Sequence, residues 1–186
     1  LDNCMLPKLR ELHLSTISMD SANNTLSELE VGVTCEMLDM LILCSNLFVD
    51  MRRLIIDKLI NLRHLDLSGN KIKEISFKWF RFSCLEFLDL KNNSIESLSL
   101  LAEARMPNLF ELNLGKATVN TENNNIRRID FTGVLMHRLS MLNLSKNVIE
   151  LVEGLDQASL TNLEIFNLAD NNLHSIDFTG CRIPNI

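Results

Sequence analysis

The sequence predicts an α/β solenoid: a curved stack of seven short repeats, plus the start of an eighth, with a parallel β-sheet on its concave side. Three observations carry that expectation. Leucines spaced L-x-x-L-x-L recur at Leu9/Leu12/Leu14, Leu38/Leu41/Leu43, Leu62/Leu65/Leu67, Leu85/Leu88/Leu90, Leu109/Leu112/Leu114 and Leu139/Leu142/Leu144, with Leu163/Phe166/Leu168 as the seventh copy. An asparagine follows each copy, at Asn24, Asn46, Asn70, Asn93, Asn124, Asn147 and Asn171. An apolar residue stands three positions ahead of each new copy, at Leu6, Cys35, Leu59, Phe82, Met106, Met136, Leu160 and Ile183. A fixed period of this length is the sequence signature of stacked units, each of which buries its apolar face only against its neighbours.

Each element has a local reason. Alternation in x-L-x-L-x gives a short strand with leucines on one face and variable residues on the other. The asparagine falls where the chain turns off the strand. Its amide can both donate to and accept from backbone groups that the turn leaves unpaired, so stacked copies form a ladder. The apolar residue three ahead of the next copy points inward from the convex side. All three prolines share one phase, in Pro7-Lys8-Leu9, Pro107-Asn108-Leu109 and Pro184-Asn185-Ile186. There a fixed φ and a missing donor cost no ladder bond. The last of them makes Ile186 the opening of an eighth repeat. Phe77, Phe131 and Phe178 each follow a repeat's last core residue by two, which predicts an aromatic spine under the convex side.

The pattern L-x-x-L-x-L-x-x-N-x-L, clean at Asn70-x-Ile72-x-x-Ile75 and Asn171-x-Leu173-x-x-Ile176, resembles the leucine-rich repeat family over nearly the whole chain. The resemblance implies a leucine-rich repeat horseshoe, with residues 1–186 as one domain and no linker dividing it. Neither end shows a capping module, so the chain is expected to be a piece of a longer solenoid. The 24-residue period, the recurrent phenylalanine and the irregular long repeats look most like extracellular receptors of the Toll-like receptor class. That likeness implies innate-immune ligand sensing and pairing with a protein co-receptor at the cell surface. A cytoplasmic scaffold or enzyme regulator, consistent with apparently free thiols, is the alternative from another class. A cell-adhesion or guidance receptor is a third.

The repeat spacing is itself periodic. First leucines at 9, 38, 62, 85, 109, 139 and 163, with Ile186 next, give intervals of 29, 24, 23 and 24, then 30, 24 and 23. The long intervals belong to repeats 1 and 5. In both, the ladder asparagine arrives ten residues after the last strand leucine, where three is usual (Leu14 to Asn24, Leu114 to Asn124). A four-repeat block duplicated in tandem accounts for this. It also places two seven-residue insertions on one rim of the solenoid; their polar members, Thr16, Ser18, Asp20, Lys116, Thr118, Asn120 and Glu122, are candidate ligand contacts, and the alternation at Ile17/Met19 also permits short extra strands that shield the sheet edge.

Composition excludes several functions. The net charge is −6, which opposes a nucleic-acid partner. No apolar run approaches the roughly 18 residues of a membrane span, so no membrane contact by this segment is expected. Five cysteines, Cys4, Cys35, Cys44, Cys84 and Cys181, lack metal-type spacing. No metal or cofactor is expected, and all of them except Cys44 read as buried thiols. The four histidines, His13, His64, His137 and His174, fall at four repeat phases. His64 beside Asp66 on one strand reads as a solvated pair without a nucleophile, so no enzyme is expected.

Binding is what remains. The outward strand residues form two columns on the concave face. One reads Glu11, Met40, His64, Phe87, Glu111, Met141, Ile165, and the other His13, Ile42, Asp66, Asp89, Asn113, Asn143, Asn167. Met40, Ile42, Phe87, Met141 and Ile165 are the most informative, because a solvated sheet needs no such side chains. With His64, Asp66, Asp89, Glu111, Asn113 and Asn143 they make up the candidate concave binding face for a protein ligand. Sequons at Asn23, Asn92 and Asn143 are candidate glycosylation sites, at a frequency that chance alone would supply.

Overall fold

A computed structural model describes residues 6–15, 25–30, 35–56, 59–75, 82–98, 101–104, 106–115 and 124–183. Both insertions, Asn23, Asn24, Phe77, Cys4 and the Pro184–Ile186 stretch lie outside the described residues. The strands are β1 (Glu11–His13), β2 (Leu29–Glu30), β3 (Met40–Ile42), β4 (Leu54–Ile55), β5 (His64–Asp66), β6 (Phe87–Asp89), β7 (Glu111–Asn113), β8 (Arg128–Asp130), β9 (Met141–Asn143), β10 (Leu151–Glu153) and β11 (Ile165–Asn167).

Seven of these form one parallel sheet in the order β1-β3-β5-β6-β7-β9-β11. Each comes from the x-L-x core of one repeat, and the register is the one the leucine spacing dictates. Glu11 pairs with Met40, Met40 with His64, His64 with Phe87, Phe87 with Glu111, Glu111 with Met141, and Met141 with Ile165. The central residue of each strand points inward. Leu41, Leu65, Leu88, Leu112 and Leu142 are at most 1% exposed, and the flanking strand leucines from Leu38 to Leu163 join them in one continuous core. Parallel pairing follows from the topology, since every strand is entered from the same side after one full turn.

The turn off each strand is held by the asparagine ladder. Asn70 Nδ2 donates to the carbonyls of Leu67 (2.9 Å) and Leu43 (3.0 Å), while its Oδ1 accepts the Phe48 N–H (3.1 Å). Asn93, Asn124 and Asn147 repeat this bonding, to Leu90 and Leu67, Leu114 and Leu90, and Leu144 and Leu114. Asn46 and Asn171 do the same near the two limits of the described chain. Each ladder residue therefore bonds its own repeat and the one before it. A buried amide is tolerated here because three of its bonds satisfy backbone groups that the turn would leave orphaned. In the short repeats the residue just ahead of the ladder asparagine has a left-handed backbone: Ser45, Gly69, Asn92, Lys146 and Asp170 have φ between 53° and 65°.

The convex side carries loops and short helical turns, with no α-helix among the described residues. Single 3₁₀ turns, Met51–Arg53, Leu101–Glu103 and Leu155–Gln157, and extended segments take its place. A repeat of 23 or 24 residues spends too few on its return path for a helix of useful length. A second run of inter-repeat bonds, such as Lys71 N–H to Phe48 O, Ser94 to Ile72, Asn125 to Ile95 and Val148 to Ile126, stitches the flank after the ladder. Two further parallel pairs, β2 with β4 and β8 with β10, bridge repeats 1–2 and repeats 5–6. The two pairs differ in register: β4 begins eight residues after Asn46, whereas β10 begins four after Asn147.

The aromatic spine is only partly present. Phe131 is fully buried and meets Phe166 edge-on at 5.9 Å. Phe178 is 42% exposed, because it stands in the last described turn with no following turn among the described residues to cover it.

Candidate functional site

Strands about 4.8 Å apart shield one another's side chains laterally, so an outward residue on the sheet is half-covered by its register partners. Met40, Ile42, His64, Asp66, Phe87, Asp89, Glu111, Asn113, Met141 and Asn143 are all of this kind, and Ile165 is 47% exposed. The concave column from Met40 to Ile165 is thus one accessible row crossing six strands. It is apolar or aromatic except at Glu111.

His64 does not pair with Asp66. Its ring stacks on Phe87, with centroids 5.7 Å apart and planes 28° from parallel. Phe87 in turn meets Phe110 edge-on at 5.9 Å and 61°. Phe110 is absent from the sequence-based candidates, yet it is 45% exposed beside the sheet. Its column reads Arg10, Asp39, Arg63, Glu86, Phe110, Ser140, Glu164. Arg10 pairs with Asp39 at 3.7 Å and Arg63 with Glu86 at 3.2 Å, so charges alternate until the aromatic residue interrupts them. That break in alternation was the available signal.

The second concave column closes turns. Asp66 Oδ1 accepts the Ser68 N–H, Asp89 that of Lys91, Asn113 that of Gly115, Asn143 that of Ser145, and Asn167 that of Ala169, at 2.8 to 3.2 Å. Each is a side-chain turn that closes the strand onto the ladder, which explains Asp or Asn at this phase without a ligand. Asn143 Nδ2 also donates to Asn113 Oδ1 at 3.1 Å. These residues shape the floor beside the apolar row.

Burial pushes the Asp89 carboxyl up, against the pull of the Lys91 ammonium 2.6 Å away. A folded-state pKa above the unfolded one means that ionising Asp89 costs stability, fully above its folded pKa and not at all below the unfolded one. Asp89→Asn keeps the turn acceptor used by Asn113 and Asn143. The variant is expected to match or exceed the parent's stability at pH 7, with the difference closing as pH falls to about 4. Urea unfolding at the two pH values checks this; an Asn variant weaker at pH 7 would show that the Lys91 contact outweighs desolvation.

Several other expectations are corrected. Cys35 is buried, but Cys84 and Cys181 are only partly covered, as is Cys44. Cys84 lines a groove of about 240 Å³ with Arg63 and Asn61 where the strands begin, and Cys181 lies in the last described turn. Burial raises the Cys44 and Cys181 thiols, each helped by nearby carboxylates. Asn92 is 6% exposed in a left-handed turn, so that sequon presents no free amide for a glycan. The Asn143 amide is occupied by Asn113 and Ser145. Among the described residues no group of three or more His, Cys, Asp or Glu is arranged to hold a metal ion. No described helix is long and apolar enough to cross a membrane.

The comparisons fit the geometry. Residues 60–103 match the family model described as Leucine Rich repeats (2 copies). The human oligodendrocyte-myelin glycoprotein is 32% identical over 117 residues, covering 62% of this chain and 24% of its own length. This chain thus spans about a quarter of the curated relatives it matches, the mouse protein included. A leucine-rich repeat protein of Leptospira interrogans superposes with a TM-score of 0.56 at 24% identity, over 90% of this chain and 45% of its own. A TLR13–ssRNA13 complex gives 0.50 at 29% identity, over 79% of this chain and 24% of its own. Sequence match, structural match and a ladder that runs through six described turns agree on the fold, a leucine-rich repeat solenoid.

Proposed function

We propose that this solenoid is a segment of a receptor ectodomain that recognises a protein ligand or co-receptor on its concave face, without catalysis. The observation that carries the reading is the accessible apolar row from Met40 through Phe87 and Met141 to Ile165 on a sheet whose fold does not need it. Leucine-rich repeats suit protein–protein interaction, and a relative named as a glycoprotein supports a cell-surface setting. Innate-immune sensing is the finer form of this reading, supported by the likeness to TLR13. The two insertions, which flank the sheet on one rim in the sequence, are proposed as auxiliary contacts.

The test uses a multimerised chain against an array of extracellular protein domains, with single-stranded RNA as a competing probe. Phe87→Glu combined with Ile165→Glu is expected to weaken protein binding at least about tenfold. Leu151→Glu, on the convex side, should leave it intact. The reverse pattern would move recognition to the convex side. Binding to RNA alone would overturn a protein ligand. Mass spectrometry for a glycan at Asn23 tests the compartment.

A further inference from the structure

We propose that the concave face receives an arginine or lysine side chain of its protein partner at Glu111, between Phe87 and Met141 and beside Phe110. This rests on the recognition reading above and adds the chemistry of its central contact. Glu111 is the direct register partner of Phe87 on one side and Met141 on the other, so its carboxylate interrupts an otherwise apolar row. Phe110, its chain neighbour, turns its ring edge-on to Phe87 and stays 45% exposed.

The other acids nearby are already engaged. Glu86 pairs with Arg63 at 3.2 Å, Asp89 with Lys91 at 2.6 Å, Asp39 with Arg10 at 3.7 Å and Glu11 with His13 at 3.5 Å. Asp66 closes its own turn on Ser68. The Glu111 side chain has no hydrogen bond or ion pair with any described residue, and it is half-covered. A carboxylate in that position selects what can cover it. An apolar side chain laid across the row would strip its water and strand the charge. An anion would meet it and a net charge of −6. A guanidinium or ammonium satisfies the carboxylate, gains from the faces of Phe87 and Phe110, and lays its methylene stem along Met141. The matching occupant is a protein surface that presents Arg or Lys among apolar residues.

Random 12-residue peptides displayed on phage and selected on the folded chain provide the probe. Enriched peptides are synthesised, and each is also made with citrulline in place of arginine, or with norleucine in place of lysine. The expected result is enrichment of Arg or Lys flanked by apolar residues. Glu111→Gln, which preserves shape, should weaken binding about tenfold or more, as should the neutral peptide on the parent chain. The two changes together should cost little beyond either alone, because they remove one and the same contact. Thermal unfolding of each variant confirms that it is folded. Peptides that lose affinity for Ile42→Glu but bind Glu111→Gln at full strength would overturn this inference and leave concave recognition standing. No enriched peptide sensitive to any concave substitution would overturn both.

Discussion

Replacing Asn93 with alanine is expected to destabilise the solenoid by about 3–5 kcal/mol, a large share of the stability of a domain this size. Asn93 is fully buried and bonds two repeats at once. Its Nδ2 donates to the Leu90 and Leu67 carbonyls, and its Oδ1 accepts the Ile72 N–H, all at 3.0 Å. Alanine leaves these three backbone groups buried and unpaired, each costing about 1–3 kcal/mol less whatever water can recover. Asn171→Ala is the internal control. The same bonds exist there, to Leu168, Leu144 and the Ile149 N–H, but the side chain is only half-buried. Water can substitute, and the cost should fall to about 1–2 kcal/mol. Equal losses at the two positions, measured by urea unfolding, would show that burial does not set the strength of the ladder.

Gly154→Ala should be comparably severe for a different reason. Gly154 sits at φ 68°, and a Cβ there would lie 2.4 Å from both the backbone nitrogen and the Oγ1 of Thr132, in the neighbouring repeat. The left-handed backbone costs an alanine about 1–2 kcal/mol, and displacing a neighbouring backbone adds about 1–3 kcal/mol. Gly133→Ala separates the two terms. Its φ is 74°, but the nearest atom to an added Cβ is 4.0 Å away. That variant should lose only the backbone term. A Gly154 variant no weaker than the Gly133 variant would mean that β8 and β10 separate at little cost.

The sheet, its register and the ladder were legible because one side chain per repeat does one fixed job. Leu41, Leu65, Leu88, Leu112 and Leu142 are inward by alternation alone, and a ladder asparagine needs only to follow its strand at a set distance. The convex side was harder to read. Its partners are backbone groups of adjacent turns, such as Glu74 bridging Asp50 and Ser97, and no side-chain type marks them. The site was legible as columns but not as roles. Asp89 and Asn143 are polar strand residues on any reading, and only the bonds to Lys91 and Ser145 show that they close turns. Phe110 escaped because adjacent outward positions were weighed by strand phase, whereas its exposure depends on the ring of Phe87 across the sheet.

The ladder also fixes how the molecule would answer a mechanical load. Every described ladder residue, from Asn46 to Asn171, ties a repeat only to the one before it, and the sheet bonds run in that same direction. Tension along the solenoid therefore passes through the interfaces in series, and no bond among the described residues spans several. Such a coil yields by peeling single turns. Each turn releases 23 to 30 residues of slack, or about 8–10 nm of chain at full extension, while the turns beyond it keep their shape.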